Sequence, residues 1–108
     1  MKAFIASENV RHGILLSNVL NSFGVSTFQN DSGYQSIDYM ISDISNLAES
    51  YDILFAITRK PIELAMSANK NENIRAAACK SADDIIEARK SGANLIVLDS
   101  DIVTKDSM

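Results

Sequence analysis

The sequence predicts an α/β protein, a Rossmann-like three-layer α/β/α sandwich around a five-stranded parallel sheet. Three observations predict it. Apolar runs such as Ile53-Leu54-Phe55-Ala56-Ile57 and Leu95-Ile96-Val97-Leu98 lack polar alternation, as strands buried on both faces do. Between such runs lie stretches with apolar residues three and four apart, the mark of amphipathic helices. A length of 108 residues suits one small core and not two. The expected division is a single domain over 1–103 and a tail over 104–108.

Ala3 to Ala6 reads as the first strand. Ser7 or Asn9 then offers a side-chain acceptor to the free amides of a helix over about Val10 to Ser22. Leu16, Val19, Leu20 and Phe23 fall on one stripe of that helix, and Gly24 stops it, since glycine takes the left-handed conformation without steric cost. Val25 to Phe28 is the second strand, and Asp31-Ser32-Gly33 marks a turn. Ser36 caps a helix whose inner face is Ile37, Met40, Ile41, Ile44, Leu47 and Ala48, with Asp38 in the first turn where the helix dipole favours a negative charge.

The third strand is Asp52 to Ile57, and Pro61 suits the first position of the following helix, where no N–H is needed. Ile62, Ala65, Met66 and Asn69 are expected on its inward face. Ile74 to Cys79 is the fourth strand. Ser81 caps a helix over about Ala82 to Lys90, Gly92 ends it, and Leu95 to Leu98 is the fifth strand. Asp101 to Met108 reads as a frayed tail or the stub of another helix. In open parallel sheets ligands bind beyond the carboxyl ends of the strands. The loops that matter are therefore Ser7–Arg11, Gln29–Tyr34, Thr58–Pro61, Lys80–Asp83 and Asp99–Asp101.

A hydrophobic content of 46% with 22% charged residues is that of a globular chain. A net charge of −4 without a clustered Lys/Arg surface argues against nucleic acid. The single cysteine forms no internal disulfide, which fits a cytoplasmic location. The apolar start, Ala3 to Ala6, is too short for a signal peptide or a membrane span, so no membrane partner is expected.

Several segments have a more particular character. Ala6-Ser7-Glu8-Asn9-Val10-Arg11 follows the first strand, and Ile37-Asp38-Tyr39-Met40-Ile41 opens the second helix. Ser67-Ala68-Asn69-Lys70 closes the third helix and Asn73-Ile74-Arg75-Ala76-Ala77 enters the fourth strand. Ala88-Arg89-Lys90-Ser91-Gly92-Ala93-Asn94 precedes the fifth. In these places the chain resembles the type-B ribose-5-phosphate isomerases and the related galactose-6-phosphate isomerase subunits. Those proteins carry Gly-Ser-Asp-His-Ala-Gly, Val-Asp-Tyr-Pro-Asp, Ala-Ala-Asn-Lys, Gly-Ile-Arg-Ala-Ala and Ala-Arg-Glu-His-Asn-Asp-Ala-Asn at the corresponding positions. The resemblance runs over nearly the whole chain, and most of its matching residues belong to the scaffold.

The resemblance implies aldose–ketose phosphate isomerisation. In that chemistry a thiol or similar base removes a proton next to a carbonyl, amides of a Cys-Gly-Thr-Gly loop stabilise the enediolate, and cations hold phosphate. Here Thr58 or Ala56 stands at the base position, and Arg59-Lys60-Pro61 replaces the glycines. Proline lacks an amide hydrogen, and side chains hinder close backbone approach. Asn9 stands at the histidine position, the His-Asn pair before Ala93 is lost, and the family's C-terminal arginine-bearing segment has no counterpart. The expectation is a diverged relative without the family's base that binds a phosphorylated sugar or small anion. A non-catalytic subunit or interaction module is the second expectation, and an isomerase using other residues the third. By resemblance, the chain pairs as a homodimer or with a related subunit.

The candidate catalytic residues are Thr58 and Glu8, and the candidate ligand-binding residues are Ser7, Asn9, Tyr39, Arg59 and Lys60. Arg59 and Lys60, two cations at a helix start on the carboxyl edge of the sheet, suit a phosphate. Cys79 without an activating partner reads as a buried apolar side chain, and His12 as a helix-surface residue that could also stand in for the imidazole missing at Asn9. Glu8, Asp99 and Asp101 lack the fixed spacing of a metal loop, so no metal and no cofactor are expected. Lys80, Asp83 and Asp84 read as an exposed helix start, and Met40 and Met66 as core residues. The decisive feature is whether Thr58–Pro61 forms an open anion-binding turn or a filled one.

Overall fold

The computed structural model describes residues 1–30 and 32–104, so Asp31 of the expected turn and residues 105–108 of the expected tail lie outside the described residues. Five strands alternate with helices: β1 (Lys2–Ser7), α1 (Val10–Ser22), β2 (Ser26–Gln29), α2 (Ile37–Leu47), β3 (Ile53–Thr58), α3 (Pro61–Ala68), β4 (Ala76–Cys79), α4 (Ala82–Lys90), β5 (Leu95–Asp99) and α5 (Ser100–Thr104). All pairings are parallel, in the order β2-β1-β3-β5-β4.

Helices cover both faces of the sheet. On one, Phe4, Leu54, Ala56, Leu95 and Val97 meet Met40, Ile41 and Ile44 of α2 and Leu64, Ala65 and Ala68 of α3. On the other, Ile5, Phe55, Ile57, Ile96 and Leu98 meet Leu16 of α1 and Val103 of α5, with Ile85 and Ala88 of α4 against them. Steps along the sheet in one direction run over the α2–α3 face and steps in the other over the α1–α4 face. A uniform crossover hand requires that division.

The caps follow the local chemistry. Asn9, Ser36 and Ser81 each accept a backbone N–H from the first turn of α1, α2 and α4. Gly24 and Gly92 take φ of 83° and 97°, as the turns ending α1 and α4 require.

Two helix faces differ from the periodicity reading. On α1 the buried residues are Gly13 and Leu16, whereas Val19 is 40% and Phe23 80% exposed. The helix sits close over β2, with the Gln29 side chain against Gly13 and Ser17 bonded to Thr27, so its inner stripe is rotated toward the small residues. On α3 the buried residues are Leu64, Ala65 and Ala68, while Ile62 and Met66 are 65% and 69% exposed. Leu64 and Ala68, four residues apart on one face of this short helix, take the core. Met40, by contrast, is fully buried.

Strand limits also shift for identifiable reasons. The Val25 amide still bonds the carbonyl of Leu20 at 3.1 Å, so β2 starts at Ser26. The Arg75 amide is taken by the Asn94 side chain at 2.7 Å, so β4 starts at Ala76 and not at Ile74.

Candidate functional site

β1 and β3 are neighbours, yet the chain leaves β1 for α1 on one face and β3 for α3 on the other. Diverging connections open a crevice between the carboxyl ends of such a pair. Glu8 and Asn9 form one lip and Arg59 and Lys60 the other. The Glu8 amide donates to the carbonyl of Ile57 at 3.2 Å, which ties the first lip to β3. On the outside, Gly33 presses against the Glu8 backbone so closely that a Cβ there would collide with the Glu8 carbonyl oxygen.

The turn Thr58–Pro61 is filled. Glu8 Oε1 accepts the Arg59 N–H at 2.7 Å, Thr58 Oγ1 accepts the Lys60 N–H at 3.1 Å, and Pro61 has no N–H. Thr58 is wholly buried, and its hydroxyl closes the turn in the manner of a short side-chain cap.

Two cavities flank this contact. One, of about 280 Å³, is lined by Glu8, Asn9, His12, Arg59 and Ser100. The other, of about 320 Å³, brings Ser36, Asp38, Lys60 and Ser67 up to Glu8 and Arg59. Glu8 and Arg59 line both, so the two cavities adjoin at this pair. The structure therefore brings together Glu8, Asn9, Arg59 and Lys60 from the sequence-derived set.

The others fall elsewhere. Ser7 is buried, and its carbonyl accepts the Tyr34 N–H at 2.9 Å. The Asn9 side chain is engaged as the α1 cap, accepting the Arg11 N–H at 2.9 Å. Tyr39 is 63% exposed and lines an adjacent cavity of about 600 Å³ with Asn30, Ser36 and Tyr34, whose ring centroid lies 5.8 Å from its own. The Lys60 ammonium lies 3.8 Å from the Glu63 carboxylate, both well exposed.

Two residues gain a place at the crevice. His12, three residues after the Asn9 cap, turns toward the crevice from the first turn of α1, and Ser100 reaches it from the start of α5. The spacing from the cap was the signal for His12; Ser100 had only its neighbourhood in the Asp99–Asp101 loop.

A separate cavity of about 540 Å³ lies among Lys60, Ile62, Cys79, Asp99 and Ile102. Cys79 is buried there, and burial, reinforced by the Asp84 charge, pushes its thiol above the ordinary value. Asp99 accepts the Asp101 N–H at 2.9 Å. Among the described residues no group of three His, Cys, Asp or Glu side chains is placed to hold a metal ion. At the β2–α2 loop, Tyr34 donates its hydroxyl to Asp43 at 2.8 Å and accepts from Asn30 at 2.6 Å. Burial first, and the Asp43 carboxylate second, hold that phenol well above its usual value.

The sequence matches no family model and no curated protein. Solved structures do match. A ribose-5-phosphate isomerase B from Clostridium thermocellum superposes with a TM-score of 0.82 at 21% identity, covering 99% of this chain and 78% of that one. The enzyme from Anaplasma phagocytophilum gives 0.78 at 24% identity, over 98% and 78%. The Mycoplasma genitalium enzyme, solved with bound ribulose-5-phosphate, gives 0.75 at 20% identity, over 98% and 76%. The chain has the fold of the type-B ribose-5-phosphate isomerases.

Within that fold the matching motif residues have structural work. Asn69 clamps Ala76 through both the oxygen and the nitrogen of its side-chain amide, and Asn94 accepts the Arg75 N–H while donating to the carbonyl of Asn73 at 2.9 Å. Both asparagines join the α3–β4 loop to the amino ends of β4 and β5, opposite the crevice. No helix among the described residues is long and apolar enough to cross a membrane.

Proposed function

We propose that this chain binds a phosphorylated sugar in the crevice between β1 and β3 and does not isomerise it. The observation that carries this reading is the filled turn: the amides of Arg59 and Lys60 are held by Glu8 and Thr58, and Pro61 offers none. An enediolate oxygen therefore meets no preorganised donor in the place where the resemblance puts one. Thr58, buried and bonded to Lys60, is no base for a carbon-bound proton.

Binding is supported by other features. The Arg59 and Lys60 side chains are exposed at the crevice, where a guanidinium suits a phosphate. Hydroxyls fit against Ser36, Asp38 and Ser67. A protein of the same fold holds ribulose-5-phosphate. The chain acts in the cytoplasm, given its single, unpaired and buried cysteine, with neither nucleic acid nor membrane as partner.

Adding ribose 5-phosphate and ribulose 5-phosphate at millimolar concentration tests the reading. The melting temperature rises if the folded state binds either one, while no interconversion is detected. No shift with either sugar sinks the binding half. Turnover abolished by Glu8→Ala sinks the other half and makes the chain an isomerase that uses Glu8.

A second reading, pairing with another copy or a related subunit, has its own support. Ile14, Leu15, Val19 and Phe23 are 40% to 80% exposed along α1. Sedimentation of the isolated chain separates a dimer from a monomer.

A further inference from the structure

The crevice carries an anion of its own. Of the two N–H groups in the turn, at Arg59 and Lys60, only that of Arg59 is turned toward another element, and the partner it meets is the Glu8 carboxylate at 2.7 Å. We propose that Glu8 sets the specificity of the crevice by reserving the Arg59 amide for its own carboxylate, so that an incoming phosphate is kept off that amide and left to the side chains of Arg59 and Lys60. This rests on the reading of the crevice as a phosphosugar site and assigns the pose within it.

The physical case has three parts. A carboxylate accepting a backbone N–H makes a short, charge-assisted hydrogen bond, stronger than the neutral kind. Glu8 is also held in register from both sides. Its amide is bonded to Ile57, and Gly33 lies against its carbonyl with no space for a Cβ. The carboxylate is thus delivered to the Arg59 amide by a fixed backbone. A second anion approaching that amide would have to displace the carboxylate or sit against a like charge. Asp38 and Glu63 line the adjoining cavity and add to the negative side, while the Arg59 guanidinium and Lys60 ammonium offer the positive one.

Titration of inorganic phosphate into ¹⁵N-labelled protein tests it, with the Arg59 amide resonance as reporter, in the unaltered chain, Glu8→Ala and Glu8→Gln. In the unaltered chain the Arg59 amide stays in place as phosphate is added. In Glu8→Ala it moves, and phosphate binds about tenfold more tightly or better, the scale of one charge-assisted bond gained and one repulsion lost. Glu8→Gln keeps an acceptor on the amide but no charge, and gains less. If Glu8→Ala does not fold, any gain in Glu8→Gln over the unaltered chain supports the proposal and no gain overturns it. Equal phosphate affinity in all three proteins, or an Arg59 amide that moves in the unaltered chain as far as in Glu8→Ala, overturns it too. Ribose 5-phosphate binding by the unaltered chain is scored separately. Silence there alongside a gain in Glu8→Ala sinks the phosphosugar reading and leaves the role of Glu8 intact.

Discussion

Asn69 and Ala76 exchange two hydrogen bonds: the asparagine side chain accepts the Ala76 N–H at 2.7 Å and donates to the Ala76 carbonyl at 3.0 Å. The side chain thereby imitates a neighbouring strand at the start of β4, and it fixes the loop that leads there from α3. Asn69→Ala leaves both backbone groups to water and is expected to cost about 1–3 kcal/mol, two neutral bonds' worth. Urea unfolding measures this. A loss below about 0.5 kcal/mol, the range of an ordinary surface change, would show that the loop holds without the clamp.

The orientation of α3 gives a sharp contrast between two large apolar side chains. Leu64 is wholly buried among Leu54, Leu95 and α2, whereas Met66 is 69% exposed. Leu64→Ala should destabilise by about 2–5 kcal/mol through lost transfer energy and the cavity left behind. Met66→Ala should stay within about 0.5 kcal/mol. Comparable losses at both positions would mean that another surface covers Met66 in solution.

Alkaline pH should weaken the fold through Tyr34. Its hydroxyl is buried against Asp43, and burial holds its ionisation above the ordinary value. A group whose folded pKa is raised binds its proton more tightly folded than unfolded. Its stabilising contribution is complete below the unfolded value, near pH 10, and is lost as pH climbs from there toward the folded one. Tyrosinate absorbance should therefore include a late component that disappears in Tyr34→Phe. The alkaline fall in stability should flatten in that variant. A titration of Tyr34 at the ordinary value would contradict the buried contact with Asp43.

Much of this arrangement was legible in the residues, and the rest was hidden for physical reasons. Strands such as Ile53–Thr58 and Leu95–Asp99 announce themselves because both faces are covered, and Asn9, Ser36 and Ser81 announce helix starts because capping is local chemistry. The inner faces of α1 and α3 were legible only in part: Leu16, Leu20 and Ala65 do pack inward, but periodicity gives a stripe's spacing and not how far round the helix the buried face extends. On α1, Gly13 joins Leu16 in place of Val19 and Phe23 because the helix lies close to β2. At the crevice, Glu8, Arg59 and Lys60 were visible as loop residues. The Glu8–Arg59 contact was not, since it joins residues 51 apart in the chain. The same holds for His12: its position on α1 is plain from the sequence, its neighbours across the crevice are not.

The two cations of the β3–α3 turn should contribute unequally to phosphate binding. Lys60 sits 3.8 Å from Glu63, and both side chains are more than 60% exposed, so its charge is partly met and mostly screened by water. Arg59 lines both cavities beside Glu8 and offers the planar fork that suits phosphate oxygens. Arg59→Ala removes that fork while keeping the backbone N–H that Glu8 accepts, so the turn itself should survive. The expected loss in affinity for ribose 5-phosphate is about tenfold or more for Arg59→Ala, the scale of a charge-assisted contact. For Lys60→Ala it is about two- to threefold, the scale of an exposed charge. Calorimetric titration at low and at physiological salt reads both, and the Lys60 effect should shrink further as salt rises. An Arg59→Ala protein that binds the sugar phosphate as the unaltered chain does would move the ligand out of this crevice, because among the described residues Arg59 is the cation that lines both cavities.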